Sequence, residues 1–162
     1  MMGKTHLAIG IAVGTLLSYQ FNLDVQSQIG MVGAAALGSL LPDLDSPVST
    51  LGKLLPINPM RVFHHRGALH SASIIVSLFG LYMSTGQLWQ LFIFAGYTSH
   101  LAADAMTVKG IPFLYPLQVN FRLSPFPIWT GGIIDYLFFI AGWVFVAFTI
   151  ATGGNVLQYF HL

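Results

Sequence analysis

Long apolar stretches alternate with short polar segments along the chain. Residues 5–23 and 25–42 carry no charge, and each has about the length of one membrane-crossing helix, which needs about 20 residues. The uncharged stretch at 71–103 is too long for one span, and the Ser-Thr-Gly-Gln sequence at 84–87 predicts a turn within it. The pattern therefore predicts five transmembrane helices, at residues 5–23, 25–42, 71–85, 88–106 and 133–152.

Two further features refine these helices. Gly30, Ala34 and Gly38 repeat every four residues in the second span, which predicts a small face for close helix packing, or only a glycine-rich span. Segments 42–70 and 107–131 are rich in proline and polar residues, so they are expected to connect the spans rather than to form long helices.

Composition agrees with a membrane protein. Hydrophobic residues make up 55% of the 162 residues and charged residues 7%, against roughly 25% charged residues in an average soluble domain. We therefore expect an all-α polytopic membrane protein with a single domain over 1–162, and no nucleic-acid partner. The first apolar stretch has no clear cleavage site after it and is interpreted as a retained span.

The basic residues predict the orientation in the membrane. All six precede the first span, or lie between spans two and three or between spans four and five: Lys4, Lys53, Arg61, Arg66, Lys109 and Arg122. In a five-span chain these segments share one side. Positive charge marks the cytoplasmic side, so we predict that the N-terminus lies in the cytoplasm and the C-terminus outside.

Candidate metal ligands fall on that same side. The chain has no cysteine and no glutamate, so any metal must be held by imidazole and aspartate. Ionisable groups near a membrane are costly and usually functional. Asp24 and His161 alone among the histidines and aspartates fall on the opposite side. The residues that converge on the predicted cytoplasmic face are His6, Asp43, Asp45, His64, His65, His70, His100, Asp104 and Asp135.

Each motif has a functional and a structural interpretation. His100 and Asp104 stand four residues apart, which places two ligands on one helix face or pairs a helix-end histidine with a carboxylate. Asp43 and Asp45 follow a helix end, where they are suited to bridging cations or are solvated. Asp135 at a helix start is equally consistent with a residue favoured by the helix dipole.

The next segment adds two imidazoles and a guanidinium. His65 and His70 suit zinc or manganese, and the choice between His64 and His65 stays open. Arg66 either binds phosphate bidentately or anchors the chain at the headgroups. Together, at least six nitrogen and oxygen ligands on one side can hold two metals, with Asp43 or Asp45 as a bridging ligand or a base that positions water.

The combined motifs resemble a known family. They are His6, Leu-Pro-Asp-Leu-Asp at 41–45, His-Arg-Gly-Ala-Leu-His-Ser at 65–71 and Gly-Tyr-Thr-Ser-His-Leu-Ala-Ala-Asp at 96–104, followed by Thr107, Gly110, Pro112 and Leu-Tyr-Pro at 114–116. This order is similar to the YdjM-like family, small bacterial inner-membrane proteins described as membrane-bound metal-dependent hydrolases. The resemblance implies a multi-span helical fold, hydrolase activity and a divalent-metal site at His6, Asp43, Asp45, His65, His70, His100 and Asp104.

A more distant similarity is to zinc-dependent phospholipase C and related single-strand nucleases, which also combine an early histidine with an HxxxD pair. This chain lacks their second downstream pair and the N-terminal tryptophan, which argues against a trinuclear zinc site. Phe94 stands where acid-type lipid phosphatases carry arginine, so their nucleophilic-histidine mechanism is disfavoured.

The sequence thus predicts a hydrolase that cleaves a phosphoester bond in a lipid or lipid-linked substrate. It is expected to use one or two divalent ions, with zinc and manganese as the first candidates. The expected catalytic residues are Asp43, Asp45 and Arg66, and Arg122 is a further candidate for binding phosphate. Membrane lipids are the expected partners. The alternatives are a non-catalytic metal-binding protein with a regulatory or transport role, and a histidine-based pH sensor.

Overall fold

The computed structural model describes residues 1–45, 68–117 and 119–156, and the side chain of Asp45 lies outside this description. Within these ranges the chain is helical, with isolated backbone bridges and no β-strand. The five helices are α1 Gly3–Gln20, α2 Val25–Leu40, α3 Ala72–Thr85, α4 Leu88–Ala105 and α5 Ile133–Ala151. The all-α prediction is confirmed, and the predicted helix ends agree with these bounds to within three residues.

Local chemistry explains where the helices begin and end. The Asp24 carboxylate caps α2 by accepting hydrogen bonds from the N–H groups of Gln26, at 3.0 Å, and Ser27, at 3.1 Å. The hydroxyl of Ser27 also donates to this carboxylate and, with these N–H groups, holds the pKa of Asp24 below its usual value. The cap therefore stabilises the helix at neutral pH and is lost as the pH falls through that lowered pKa. Gly86 ends α3 at a φ of 66°, which confirms the predicted turn.

Helices α1 and α4 lie at the centre of the bundle. Helix α1 packs against α2, α4 and α5, and α4 packs against α2, α1 and α3. The approach of α4 to α2 depends on two glycines, since a Cβ at Gly96 would clash with the Ala35 carbonyl and one at Gly38 with the Ile93 carbonyl. Gly38 of the predicted small face thus makes a close contact. Gly30 does not, because the space around it is open.

Asp135 fastens the start of α5 to the start of α1. Its buried carboxylate accepts hydrogen bonds from the Thr5 hydroxyl, at 2.7 Å, and from the N–H groups of Met2, at 2.9 Å, and Gly131, at 2.8 Å. A buried carboxylate with three donors is a fully satisfied structural group. This arrangement supports the structural interpretation of Asp135 and ties together the bundle end that carries the other ionisable residues.

The outer surface of the bundle is apolar. No side chain of α3 is buried, and its exposed residues include Val76, Phe79 and Met83. Helix α5 similarly exposes Ile140 and Val144. A surface of this kind is typical of a protein in contact with lipid.

Length and composition single out one of the helices as a membrane span. Among the described residues, α5 alone is long and apolar enough by itself to cross a bilayer. Helix α2, with 16 residues, extends about 24 Å, less than the apolar thickness of about 30 Å. The helices α1 and α4 are less apolar, because they carry glycine and polar residues that face the interior of the bundle. Five separate spans therefore remain a prediction.

We expect Gly96→Ala to weaken the bundle and Gly30→Ala to leave it intact. The methyl group at position 96 forces α4 away from α2, an overpacking that costs about 1–3 kcal/mol. At position 30 alanine meets open space and gains up to about 1 kcal/mol of helix propensity. Thermal unfolding of both variants in detergent, followed by circular dichroism, compares them. Equal midpoints would show that the close approach at Gly96 does not limit stability.

Candidate metal centre

Five ionisable residues meet at one end of the bundle. His6 belongs to the first turns of α1, while Asp43 follows α2 in the 3-10 turn Leu41–Asp45 and His70 precedes α3 in the turn Ala68–His70. His100 and Asp104 lie one turn apart near the end of α4. The structure therefore brings together five of the seven metal ligands that the sequence predicts. His65 and Arg66 lie outside the described residues, as does the side chain of Asp45.

Asp104 is the centre of this cluster. Its Oδ1 lies 3.1 Å from Nε2 of His6, and its Oδ2 lies 3.7 Å from Nε2 of His70 and 3.8 Å from Nε2 of His100. The amino group of Met1 also contacts Oδ1. One carboxylate thus faces three imidazoles, with one of its oxygens directed to His6 and the other to His70 and His100.

The side chain of Asp43 completes the cluster on one side. Its Oδ1 lies 3.9 Å from Nε2 of His100. The Asp43 side chain is 20% exposed, whereas those of the other four residues are at most 2% exposed. Solvent therefore reaches the cluster next to Asp43.

The orientation of the His100 ring is set by α2. Nδ1 of His100 lies 2.6 Å from the carbonyl oxygen of Ser39, and because a carbonyl only accepts, Nδ1 carries the proton. In the neutral imidazole, Nε2 then carries the lone pair, which is directed towards Asp43 and Asp104. A hydrogen bond of this kind is the usual support of a metal-binding histidine. This role of Ser39 could not be predicted, because a backbone carbonyl has no signature in the sequence.

His6 and His70 are held by other contacts. The His6 ring stacks on the His100 ring with 3.6 Å between centroids. The carbonyl of Leu69, next to His70, accepts a hydrogen bond from the hydroxyl of Tyr97 in α4. Stacking thus orients the His6 imidazole, and the hydrogen bond fastens the turn that carries His70 to α4.

The donor set fits a divalent metal. Two overlapping groups, His6–His100–Asp104 and Asp43–His70–His100, each keep their ligand atoms within 4.8 Å of one another. Nδ1 of His6 and Nε2 of His100 are buried and make no hydrogen bond within the parts of the chain that the structure describes. Buried polar atoms are usually paired, so this pattern marks a place for a cation. Imidazole and carboxylate suit zinc, manganese and iron.

The remaining predicted residues have other positions. Arg122, a sequence candidate for phosphate binding, is exposed on the segment that follows α4. Lys4 is exposed next to the cluster end of α1, with its Nζ 4.3 Å from the centre of the Tyr136 ring. Lys109 is also exposed after α4. These three basic residues therefore lie on the segments at the cluster end, as the sequence predicts.

Comparison with known proteins places the chain in a family. A family model described as YdjM inner membrane protein matches residues 1–160. The chain is 33% identical over 143 residues to "Uncharacterized protein YvsG" of Bacillus subtilis (strain 168), and the aligned region covers 85% of this chain and 86% of that protein. It is 38% identical over 105 residues to "Inner membrane protein YdjM" of Escherichia coli (strain K12), and the aligned region covers 57% of this chain and 53% of that protein.

These matches carry no likeness to phospholipase C, so that distant similarity stays a prediction. No solved structure matches the chain. The family match extends over nearly the whole sequence, and the E. coli relative is named as an inner-membrane protein. The chain belongs to the YdjM inner membrane protein family.

Proposed function

We propose that the protein is a membrane-bound metal-dependent hydrolase that acts on a phosphoester bond of a lipid or lipid-linked substrate. The observation that carries this proposal is the buried cluster of three imidazoles around Asp104, with Asp43 at its solvent-accessible side. A purely structural role does not account for Nδ1 of His6 and Nε2 of His100, which are buried without a hydrogen bond among the described residues, because buried polar groups without partners are costly.

The geometry suggests how one or two ions would be shared among the residues. Nε2 of one imidazole binds a single ion, so His100 serves only one of the two overlapping groups at a time. The two oxygens of Asp104 are directed to different histidines, so Asp104 would be better suited than Asp43 to bridge two ions. A bound zinc or manganese ion would polarise the phosphoester and lower the pKa of water at the site.

Asp43 is the best-placed proton acceptor among the described residues. It is the most exposed member of the cluster and its Oδ1 faces Nε2 of His100. A general base must reach both the attacking water and solvent, to which it later loses the proton. Asp45 and Arg66 keep the roles that the sequence suggested, a second carboxylate and a phosphate-binding guanidinium, as part of this proposal.

The membrane setting favours a lipid substrate. The cluster lies at the ends of helices with apolar outer surfaces, which is the depth of the phospholipid headgroups if the helices cross the bilayer. All six Lys and Arg residues belong to the segments on that side in the five-span arrangement. We infer five spans, with the cluster at the cytoplasmic face and the C-terminus outside.

A non-catalytic metal site is the second candidate. Four of the five residues are almost fully buried, and closed coordination is typical of a structural metal site. Transport is less favoured, since a transporter places its ion ligands near the middle of the membrane and this cluster lies at the helix ends.

Purified protein should contain one or two zinc or manganese ions per chain, and His100→Ala should lose at least one of them. His100 belongs to both ligand groups, so its removal breaks each of them. Elemental mass spectrometry of detergent-purified protein measures the metal content. Asp24→Asn is the matched control, because Asp24 lies at the opposite helix ends and asparagine keeps the cap on α2. A wild type that stays metal-free after reloading with zinc and manganese would refute the metal site.

Asp43→Asn should slow hydrolysis of the substrate by roughly 10²–10⁴-fold, the usual contribution of a general base. The measurement is phosphate or headgroup release by metal-loaded protein from a panel of phospholipids and lipid phosphates. Asp24→Asn should retain the wild-type rate. Metal-replete wild type without hydrolysis of any compound would favour the non-catalytic site, and an unaffected Asp43→Asn would assign the base to another residue.

The orientation is testable because the chain has no native cysteine. We expect Asn155→Cys in intact spheroplasts to react with a membrane-impermeant maleimide, and Thr130→Cys to react only after lysis. Both side chains are exposed, so the membrane alone protects either of them. Protection of Asn155→Cys with labelling of Thr130→Cys would reverse the orientation, and labelling of both would reject an odd number of spans.

A further inference from the structure

The segment between α4 and α5 exposes an unusual number of apolar side chains. We call these residues the apolar crest, and each is more than half exposed: Leu114, Leu117, Val119, Leu123, Phe126 and Trp129. The sequence marked this segment as a polar, proline-rich connection, but its large apolar residues point outward. A water-exposed loop with this surface would be an aggregation hazard, so the crest requires a partner.

The backbone of the crest is attached firmly to the bundle. The N–H of Leu123 donates to the Ala105 carbonyl, and the N–H of Ile128 donates to the Met106 carbonyl, both at 2.9 Å. Ile111 is buried beside Leu101, and Ile128 is buried beside Ala103, both in α4. The fold therefore buries one set of apolar residues in this segment and displays the other set.

Charge indicates the chemistry of the partner. Between Asp104 and Asp135 the chain has no acidic residue, while Lys109 and Arg122 are both exposed there. Lys109 and Arg122 form no ion pair with the described residues, and apolar side chains beside such cations match the boundary between acyl chains and anionic phosphates in a lipid leaflet. A second copy of the chain packed face to face on the crest would instead bring these cations together.

The crest also continues the lipid-facing surface of α5. Trp129 is followed at the start of α5 by Ile133 and Ile134, which are 81% and 52% exposed. Tryptophan is typical of the membrane interface, where its ring lies at the level of the headgroups. The exposed surface therefore passes from the apolar helix to the crest without an acidic residue between them.

We propose that the apolar crest inserts into the leaflet next to the histidine–aspartate cluster, with Lys109 and Arg122 on lipid phosphates. The partner is the lipid surface itself, and the inference requires neither a bound metal nor hydrolysis. Because the crest is fixed to the end of α4 that carries His100 and Asp104, this insertion would hold headgroups beside the cluster.

Nitroxide labels on single cysteines can measure the depth of the crest. Leu117→Cys and Phe126→Cys replace largely exposed side chains, so we expect both variants to fold. Val144→Cys on the exposed face of α5 is the lipid reference, and Asn155→Cys is the aqueous reference. The labelled proteins are reconstituted in vesicles of phosphatidylethanolamine and phosphatidylglycerol. Collision with oxygen, which concentrates in the bilayer, is compared with collision with a water-soluble nickel complex.

Labels at 117 and 126 should collide with oxygen several-fold more than with nickel, as at 144. Replacing phosphatidylglycerol by phosphatidylcholine should reduce the depth of both labels in the bilayer. The double variant Lys109→Gln with Arg122→Gln should remove this dependence on the lipid. Nickel accessibility equal to that at 155 would overturn the proposal in favour of an aqueous loop. Exclusion of both reagents, with dipolar broadening between labels on different chains, would overturn it in favour of a second copy.

Discussion

The close approach of α2 and α4 is the constraint on which the rest of the structure depends. Gly38 and Gly96 let the two backbones meet where any side chain would collide with a carbonyl oxygen. One turn beyond Gly96, this contact brings His100 against the Ser39 carbonyl at 2.6 Å. The glycine contact therefore determines both the packing of the bundle and the direction in which Nε2 of His100 points.

The cluster resolves a conflict between charge and burial. Asp104 is 1% exposed in an apolar bundle, and an isolated carboxylate in such a place is strongly unfavourable. Its surroundings supply histidines and the Met1 amino group, while Asp135 nearby is satisfied by neutral donors. The two buried aspartates thus differ in their surroundings. Three neutral donors satisfy the Asp135 carboxylate and leave no place for a metal, whereas the Asp104 carboxylate faces imidazole nitrogens that can bind one.

The helices were predictable because uncharged stretches bounded by charges or turns leave little choice, and the five agree with the sequence to within three residues. Convergence of His6, Asp43, His70, His100 and Asp104 followed from counting spans. The packing face of α2 did not follow, since a four-residue glycine repeat fits Gly30 as well as Gly38 and only α4 distinguishes them. The support from Ser39 and the apolar crest depend on backbone positions and side-chain directions that composition does not encode.

The positions of the candidate ligands imply that binding of a metal would be linked to folding. The candidate ligands belong to four separate parts of the bundle. His6 lies in α1, Asp43 in the turn after α2, His70 in the turn before α3, and His100 with Asp104 in α4, so shared ions would cross-link these parts. Binding energy at a site that exists only in the folded chain adds to the stability of the fold. Without a metal, the contacts that hold the Asp104 carboxylate within the described parts of the chain are those with the histidines and the Met1 amino group. A metal would then contribute to the same helix contacts that Gly38 and Gly96 make possible, whether or not the site also hydrolyses a substrate.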